Sequence, residues 1–304
     1  MPSSNSLRFD DRVVIITGSG RGLGRQHALL LGSLGASVVV NSTTSTTAQA
    51  TADDIIKAGG KATACVGSVS DDSVAQALVK TAIDTFGRID IIINNAGTFD
   101  PTPFEQITGA LFREMLSVHV EGSYNLTHAA WPHMQKQNYG RVVMITSHTI
   151  FGMAGSAAYA AAKLALVGMA KTLAIEGEPH GILVNSVATT GFTDTVQKNT
   201  PDAGMQSFME ANLPAEDPAR AVAWLVHQDC KVNGEVIGAQ GRVVSRIFLG
   251  ETEGFQGSRD GEWNAESIRD NWAQIVSDKD YVVPTDTNHL GGLLFQRLSG
   301  ASAK

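Results

Sequence analysis

Apolar residues in the first 240 positions occur in two alternating kinds of segment. Val13 to Thr17 is a short β-branched run with no polar alternation, the pattern of a strand covered on both faces. A helical pattern follows from about Leu23 to Leu34, then an apolar run from Ala36 to Asn41. The same order recurs: helix near Thr46 to Ala58, strand Lys61 to Val66, helix Asp71 to Phe86, strand Ile89 to Ile93. Further strands are predicted at Val142 to Thr146 and around Leu183 and Val236. Strand and helix in strict alternation predict an α/β fold, a doubly wound parallel sheet of about seven strands. Periodicity is lost between Thr189 and Pro214, and again over residues 250–262. Ala265 to Val276 reads as a helix with Ile268, Trp272 and Ile275 on one face. The boundaries expected are residues 1–249 for the main domain and 250–304 for a C-terminal extension, packed on the same fold or on a neighbouring subunit.

The turn after the first strand gives this sheet its chemistry. Gly18, Ser19, Gly20, Arg21, Gly22, Leu23 and Gly24 join a strand directly to a helix amino terminus. Unpaired N–H groups and the helix dipole there suit a phosphate, and the glycines let the backbone approach it closely. This is the arrangement of a Rossmann-type dinucleotide site. NAD-selective sites usually carry an acid at the end of the second strand. Here Ser42 stands there, followed by Thr43 and Thr44, and Arg21 adds a positive charge in the loop. The pattern leans to NADP, with NAD compatible. The fourth strand ends in Asn94-Asn95-Ala96-Gly97. Small residues and amides at that position either line the cofactor or brace the sheet, and for Asn94 both readings stand.

Between Arg141 and Thr172 a buried strand runs into small residues and then into a helix rich in Ala, Leu and Met. Tyr159 and Lys163, four residues apart, share a face of that helix. Ser147 lies at the strand's carboxyl end, where open α/β sheets bind ligands. A phenol with a pKa of about 10 is a poor acid or base at neutral pH, and a nearby cation favours phenolate. Tyr159 is therefore the candidate general acid/base, Lys163 its charge partner, and Ser147 the group that holds a substrate oxygen. The bare Tyr-x-x-x-Lys spacing also describes a half-buried tyrosine beside a snorkelling lysine. The glycine loop upstream favours the catalytic reading.

Composition narrows the partners. The 304 residues carry a formal net charge of −7 and are 43% hydrophobic. That balance argues against a broad nucleic-acid or anionic-membrane surface. Cys65 and Cys230 are the two cysteines, outside any metal-ligand spacing, so no metal site is expected and a reducing compartment is. The amino terminus lacks the apolar core of a signal peptide, and no apolar run suggests a membrane span. A cytoplasmic protein is expected.

Thr17-Gly18-x3-Gly22-x-Gly24, Asn94-Asn95-Ala96-Gly97 and Ser147 with Tyr159-x3-Lys163 stand together in one order over about residues 9–240. In this the chain resembles the short-chain dehydrogenase/reductase family. It is more closely similar to the 3-hydroxyacyl-CoA dehydrogenase part of multifunctional enzyme type 2 and its bacterial relatives, through LRFDDRVVIITG, FGRIDIIINNAG, VHVEGSYNLTHAAWPHM and Asn271-Trp272-Ala273-Gln274-Ile275. The resemblance implies a homodimer or homotetramer, hydride exchange at nicotinamide C4, and a cofactor site including Gly18, Ser19, Arg21, Gly22, Leu23, Gly24, Ser42, Asn94, Ala96, Gly97, Tyr159 and Lys163. His119 occupies the place of an asparagine common in the family, either as a packing histidine or in the proton relay. The Ser–Tyr interval is one residue short, which brings Thr146 in as a rival to Ser147. Thr189-Thr190 replace a common Pro-Gly, and Ser42 replaces the subfamily's acid.

The expected activity is the interconversion of a secondary alcohol and a ketone. The resemblance implies a substrate-binding lid in the aperiodic stretch between Thr189 and Pro214. It offers Phe192, Met205, Phe208 and Met209 but only Lys198 as a base, which favours a neutral small-molecule carbonyl and hence a carbonyl reductase. A 3-hydroxyacyl-CoA or hydroxysteroid dehydrogenase is the alternative, and an inactive dinucleotide-sensing protein is the non-enzymatic one.

Overall fold

The computed structural model describes residues 7–258 and 261–299. The chain forms two compact units, Met1–Arg246 and Ile247–Lys304. In the first, strands and helices alternate as β1 (Val13–Ile16), α1 (Gly22–Ser33), β2 (Ser37–Ser42), α2 (Ser45–Lys57), β3 (Lys61–Val66), α3 (Asp72–Phe86) and β4 (Ile91–Asn94). Then come α4 (Gly109–Leu116), a π-helical turn at Ser117–Glu121, α5 (Gly122–Gln137), β5 (Gly140–Thr146), α6 (Ala157–Gly177) and β6 (Ile182–Thr190). Two lid helices follow, α7 (Asp194–Lys198) and α8 (Ala203–Asn212), then α9 (Asp217–Val226), β7 (Val236–Gln240) and β8 (Val243–Ile247).

The sheet runs β3-β2-β1-β4-β5-β6-β7-β8. The pairs from β3 to β7 are parallel. Strand order reverses between β1 and β4, and the crevice at their carboxyl ends is where such sheets bind ligands. Alternate residues of β1 feed opposite faces. Val14 and Ile16 join Ala28, Leu31, Ile55 and Val222 on one side. Val13 and Ile15 join Leu78, Leu126 and Leu166 on the other. That two-sided burial is why the strands read as continuous apolar runs.

The sheet has eight strands where about seven were expected. β8 returns from β7 after only Gly241 and Arg242, a connection short enough for an antiparallel hairpin alone. Val243 and Val244 on it are exposed, so no burial pattern marks it. One helical stretch, Ala157–His180, is long and apolar enough to cross a membrane. Here it packs on β5 and β6 and buries Leu166, Val167, Ala170 and Ala174, as a core helix does.

The second unit contains the short antiparallel pair β9 (Glu251–Thr252) and β10 (Tyr281–Val282), with α10 (Ala265–Asp270), α11 (Trp272–Ile275) and α12 (Thr287–Ser299). The single helix expected over Ala265 to Val276 is broken at Asn271. The Asn271 side-chain amide donates to the Ser267 carbonyl at 2.8 Å, ending one turn and starting the next.

Candidate functional site

The glycine loop is held from below by side chains. Gly18 has φ +62, and a Cβ on it would lie 2.8 Å from the Ala96 Cα. A Cβ on Gly24 would lie 2.4 Å from both the Gly18 carbonyl oxygen and the Asn95 amide nitrogen. The loop thus closes so tightly on the Asn95-Ala96 segment that only glycine fits at these points. Arg21 caps α1 without a side-chain bond, and the first turn holds no acid. The first N–H groups of a twelve-residue helix therefore face the crevice with no side chain to satisfy them, which fits a pyrophosphate. Arg21 is exposed and forms no ion pair among the described residues. Leu23 is half-buried, and a Cβ on Gly191 would stand 2.8 Å from its Cδ2, so the start of the lid lies directly on it.

Other loop residues turn inward. The Ser19 hydroxyl donates to the Ile16 carbonyl at 2.7 Å and accepts from the Asn41 N–H at 3.0 Å. Asn41 in turn accepts from the Gly18 N–H at 3.2 Å and donates to the carbonyls of Cys65 and Gly67. The Ser42 hydroxyl lies 2.9 Å from that of Thr47 and accepts from the Thr44 N–H at 3.2 Å. It already serves the turn that starts α2.

At the end of β4 the buried Asn94 amide donates to the Thr127 hydroxyl at 2.9 Å and to the Met144 sulfur at 3.2 Å. Its amide nitrogen is thus engaged with α5 and β5, while its side-chain oxygen has no partner among the described residues. The Thr17 hydroxyl accepts from the N–H groups of Asn95 and Ala96, each at 2.9 Å. The Asn95 amide donates to the Thr17 carbonyl at 2.9 Å. Thr17, Asn41 and Asn95 position the loop and had no assigned role in the sequence reading. Asn41, polar at the end of an otherwise apolar strand, was the visible signal for one of them.

Ser147, Tyr159, Lys163 and His119 come together at the carboxyl end of β5. Ser147 caps the 3-10 turn His148–Phe151, accepting from the Thr149 N–H at 3.2 Å. Its hydroxyl also acts on the Tyr159 phenol in the direction of a lower pKa. Thr146, the rival to Ser147, is buried and donates to the Lys163 carbonyl at 2.7 Å, away from the phenol. The Lys163 ammonium donates to the Ile145 carbonyl at 2.7 Å and lies 5.4 Å from the centre of the Tyr159 ring. Phe99 and His119 meet that ring edge-on at 4.9 and 5.3 Å. Phe99 carries no motif or periodicity that would have revealed it.

Electrostatics here differ from the simple picture of a lysine depressing a phenol. Burial pushes the Tyr159 phenol above its ordinary value, and the Ser147 hydroxyl works against that. Burial also lowers Lys163 to about 7, so its charge is only half present at neutrality. Both groups have left water, and desolvation outweighs their mutual effect. His119 sits in the π turn, a feature that often marks a functional site. Its Nε2 lies 2.8 Å from the Thr98 carbonyl and 3.2 Å from the Thr98 N–H, so this one backbone residue holds the ring in either tautomer. Its Nδ1 has no partner among the described residues. Burial, reinforced by the Lys163 charge, lowers His119 to about 3, so it is neutral at physiological pH. A Cβ on the exposed Gly97 would strike this ring at 2.2 Å, so the two residues fit only as a pair.

A doubly wound sheet, an uncapped helix behind a glycine loop and a Ser–Tyr–Lys cluster at a strand end define a dinucleotide-dependent oxidoreductase. The profile of the short chain dehydrogenase family matches residues 12–204, and the chain belongs to that family, whose members are NAD(P)-dependent and act on CH–OH groups. It is 38% identical over 283 residues to mouse (Mus musculus) peroxisomal multifunctional enzyme type 2, covering 90% of this chain and 37% of that protein. The full-length structure of the same enzyme from Drosophila melanogaster superposes with a TM-score of 0.81 at 31% identity, over 97% of this chain and 50% of that one. A (2S)-[(R)-hydroxy(phenyl)methyl]succinyl-CoA dehydrogenase subunit of Thauera aromatica is 33% identical, over 76% of this chain and 96% of the subunit. Of the mouse and Drosophila multifunctional enzymes type 2, the chain spans 37% and 48% of the length.

Proposed function

We propose that the protein is a 3-hydroxyacyl thioester dehydrogenase, interconverting the C3 alcohol and ketone with NADP(H) favoured over NAD(H). The observation that carries the chemistry is the Tyr159 phenol, with the Lys163 ammonium 5.4 Å from the centre of its ring and the rings of Phe99 and His119 packed edge-on against it. The bound nicotinamide would take up or release a hydride at its C4. In oxidation, Tyr159 as phenolate takes the hydroxyl proton while Ser147 donates a hydrogen bond to the same oxygen. In reduction the phenol returns the proton to the carbonyl oxygen. Lys163 fixes the phenol's surroundings and is placed to hold the nicotinamide ribose. His119, neutral and tied to Thr98, acts by packing the edge of the Tyr159 ring rather than by carrying a proton. Asn94 acts through the sheet, holding β4 to α5 and β5.

The shortage of basic residues in the lid spoke for a neutral carbonyl. The likeness to the multifunctional enzymes and to a subunit whose name specifies a CoA thioester speaks for the acyl thioester, and it outweighs that shortage. Phosphates of a CoA tail lying outside the pocket stay solvated, and an exposed ion pair there contributes only about 0 to 1 kcal/mol. A lid with a single lysine is therefore compatible with a thioester.

A spectrophotometric panel tests the reading. The wild-type enzyme is expected to reduce 3-ketoacyl-CoA esters with a kcat/KM at least tenfold above that for simple ketones or steroids. Tyr159→Phe should lose nearly all turnover while keeping dinucleotide affinity. Tight cofactor binding with no turnover of any alcohol or ketone would instead identify a dinucleotide sensor.

A further inference from the structure

We propose that His148 holds the second oxygen of a 1,3-dicarbonyl substrate through its Nε2–H, beside the first oxygen held by Ser147 and Tyr159. The proposal rests on the thioester reading and names the side chain that separates such a substrate from a simple ketone.

His148 directly follows Ser147 and opens the 3-10 turn at the end of β5, so the two residues occupy the same rim of the crevice. Its half-buried ring stacks on Phe151, with centroids 6.5 Å apart. The Nδ1 atom lies 3.5 Å from the Thr190 hydroxyl at the carboxyl end of β6. At the end of β7, the Gln240 amide donates to that same hydroxyl at 3.2 Å. With Gln240 donating to it, Thr190 has its own proton free for Nδ1. When Thr190 gives that proton to Nδ1, the imidazole carries its own on Nε2, the tautomer the proposal uses. Burial lowers the His148 pKa, which keeps the ring neutral near pH 7.

The chain Gln240 to Thr190 to His148 crosses three adjacent strand ends and finishes in an N–H that no described residue accepts. Thr190 stands where the common family pattern has Pro-Gly, and neither proline nor glycine would supply this hydroxyl. The departure from the family pattern and the oriented imidazole are one arrangement. A 3-ketoacyl thioester carries its thioester carbonyl two carbons from the reacting carbon. That carbonyl is the acceptor the proposal gives to the His148 N–H. A simple ketone has no second acceptor and gains nothing from His148.

The test compares wild type with His148→Leu, His148→Gln and Thr190→Val on acetoacetyl-CoA, ethyl acetoacetate and a methyl ketone of matched chain length. Reduced-cofactor affinity and far-UV circular dichroism report that each variant is folded. In His148→Leu, kcat/KM for both dicarbonyls should fall about tenfold further than for the methyl ketone, chiefly through KM, as expected for one lost hydrogen bond. His148→Gln, which retains an N–H donor, should recover most of that difference, and Thr190→Val should fall between the two. Equal losses on all three substrates, or Gln no better than Leu, would overturn the proposal and leave the thioester reading intact. Selective loss on ethyl acetoacetate in an enzyme inert towards acetoacetyl-CoA would keep the role of His148 and overturn the thioester reading. A wild-type enzyme active on the methyl ketone alone, or on no member of the panel, would overturn both.

Discussion

His27 lies on the buried face of α1, 1% exposed, with both ring nitrogens unpartnered among the described residues. Burial lowers its pKa from 6.5 to about 4. The unfolded chain takes up a proton that the folded chain refuses, so this residue's contribution is complete above the unfolded value and is lost as pH falls towards about 4. His27→Leu should therefore flatten the loss of stability on that acid limb, measured as urea midpoints at neutral pH and at pH 4.5. An unchanged limb would mean that another group sets it. Ser42 is the other residue where one substitution is diagnostic. Its hydroxyl is spent on Thr44 and Thr47, and Arg21 in the glycine loop is exposed and forms no ion pair among the described residues. The absence of an acid removes a penalty against a 2′-phosphate without creating a strong attraction. Wild type should favour NADP(H) modestly, and Ser42→Asp should move the ratio of catalytic efficiencies at least tenfold towards NAD(H). A strong wild-type preference for NAD(H) would contradict this.

At the scale of the element, the β1 turn and α1 act as one device. Gly18 has positive φ, and its missing Cβ leaves room for Ala96. Gly18→Ala meets backbone at 2.8 Å and a left-handed conformation that costs an alanine about 1 to 2 kcal/mol. The neighbouring backbone must shift, which spoils the alignment of the N–H groups at the head of α1. Dinucleotide affinity should fall by more than tenfold, and Tm should drop, while Ser147 and Tyr159 keep their places. Isothermal titration with both cofactors, run beside thermal unfolding, reads the two effects separately. The π turn before α5 is a second device of this kind. It carries His119 to the Thr98 backbone and to the Tyr159 ring edge. Nothing in the residue sequence Ser117-Val118-His119-Val120-Glu121 distinguishes a π turn from an ordinary helix.

At the scale of the main unit, the amino-terminal ends of the central strands, opposite the site, are closed by an ionic cluster. Asp90 is fully buried and accepts from Arg12 at 3.1 Å, from Arg88 at 2.7 Å and from the Val13 N–H at 3.0 Å. The Tyr139 ring lies between the guanidinium groups of Arg12 and Arg141, at 4.0 and 4.5 Å. These contacts tie the starts of β1, β4 and β5 together. Removing the single carboxylate leaves two cations facing each other with nothing between them. Asp90→Asn should cost about 3 kcal/mol, read from urea unfolding, with kcat nearly unchanged since the site is at the other end of the strands. A loss below about 1 kcal/mol would show that the guanidinium groups relax into solvent.

What the sequence determined by itself were the features set by local pattern. The buried strands showed because both faces of the sheet are covered, so apolar residues run on without alternation. The glycine loop showed because backbone at positive φ or in close contact admits few residues. Tyr159 and Lys163 shared a face because a helix returns every four residues. Tertiary structure decided what depends on partners far along the chain. Ser19, Asn41 and Asn94 spend their polar atoms on the sheet, through residues between three and fifty positions away. The Thr17 hydroxyl serves Ala96, 79 residues on. The eighth strand was invisible because its valines are exposed. The Tyr159 phenol is governed by burial rather than by Lys163, because desolvation depends on how much of the whole fold lies around a group, and no spacing along the chain records that.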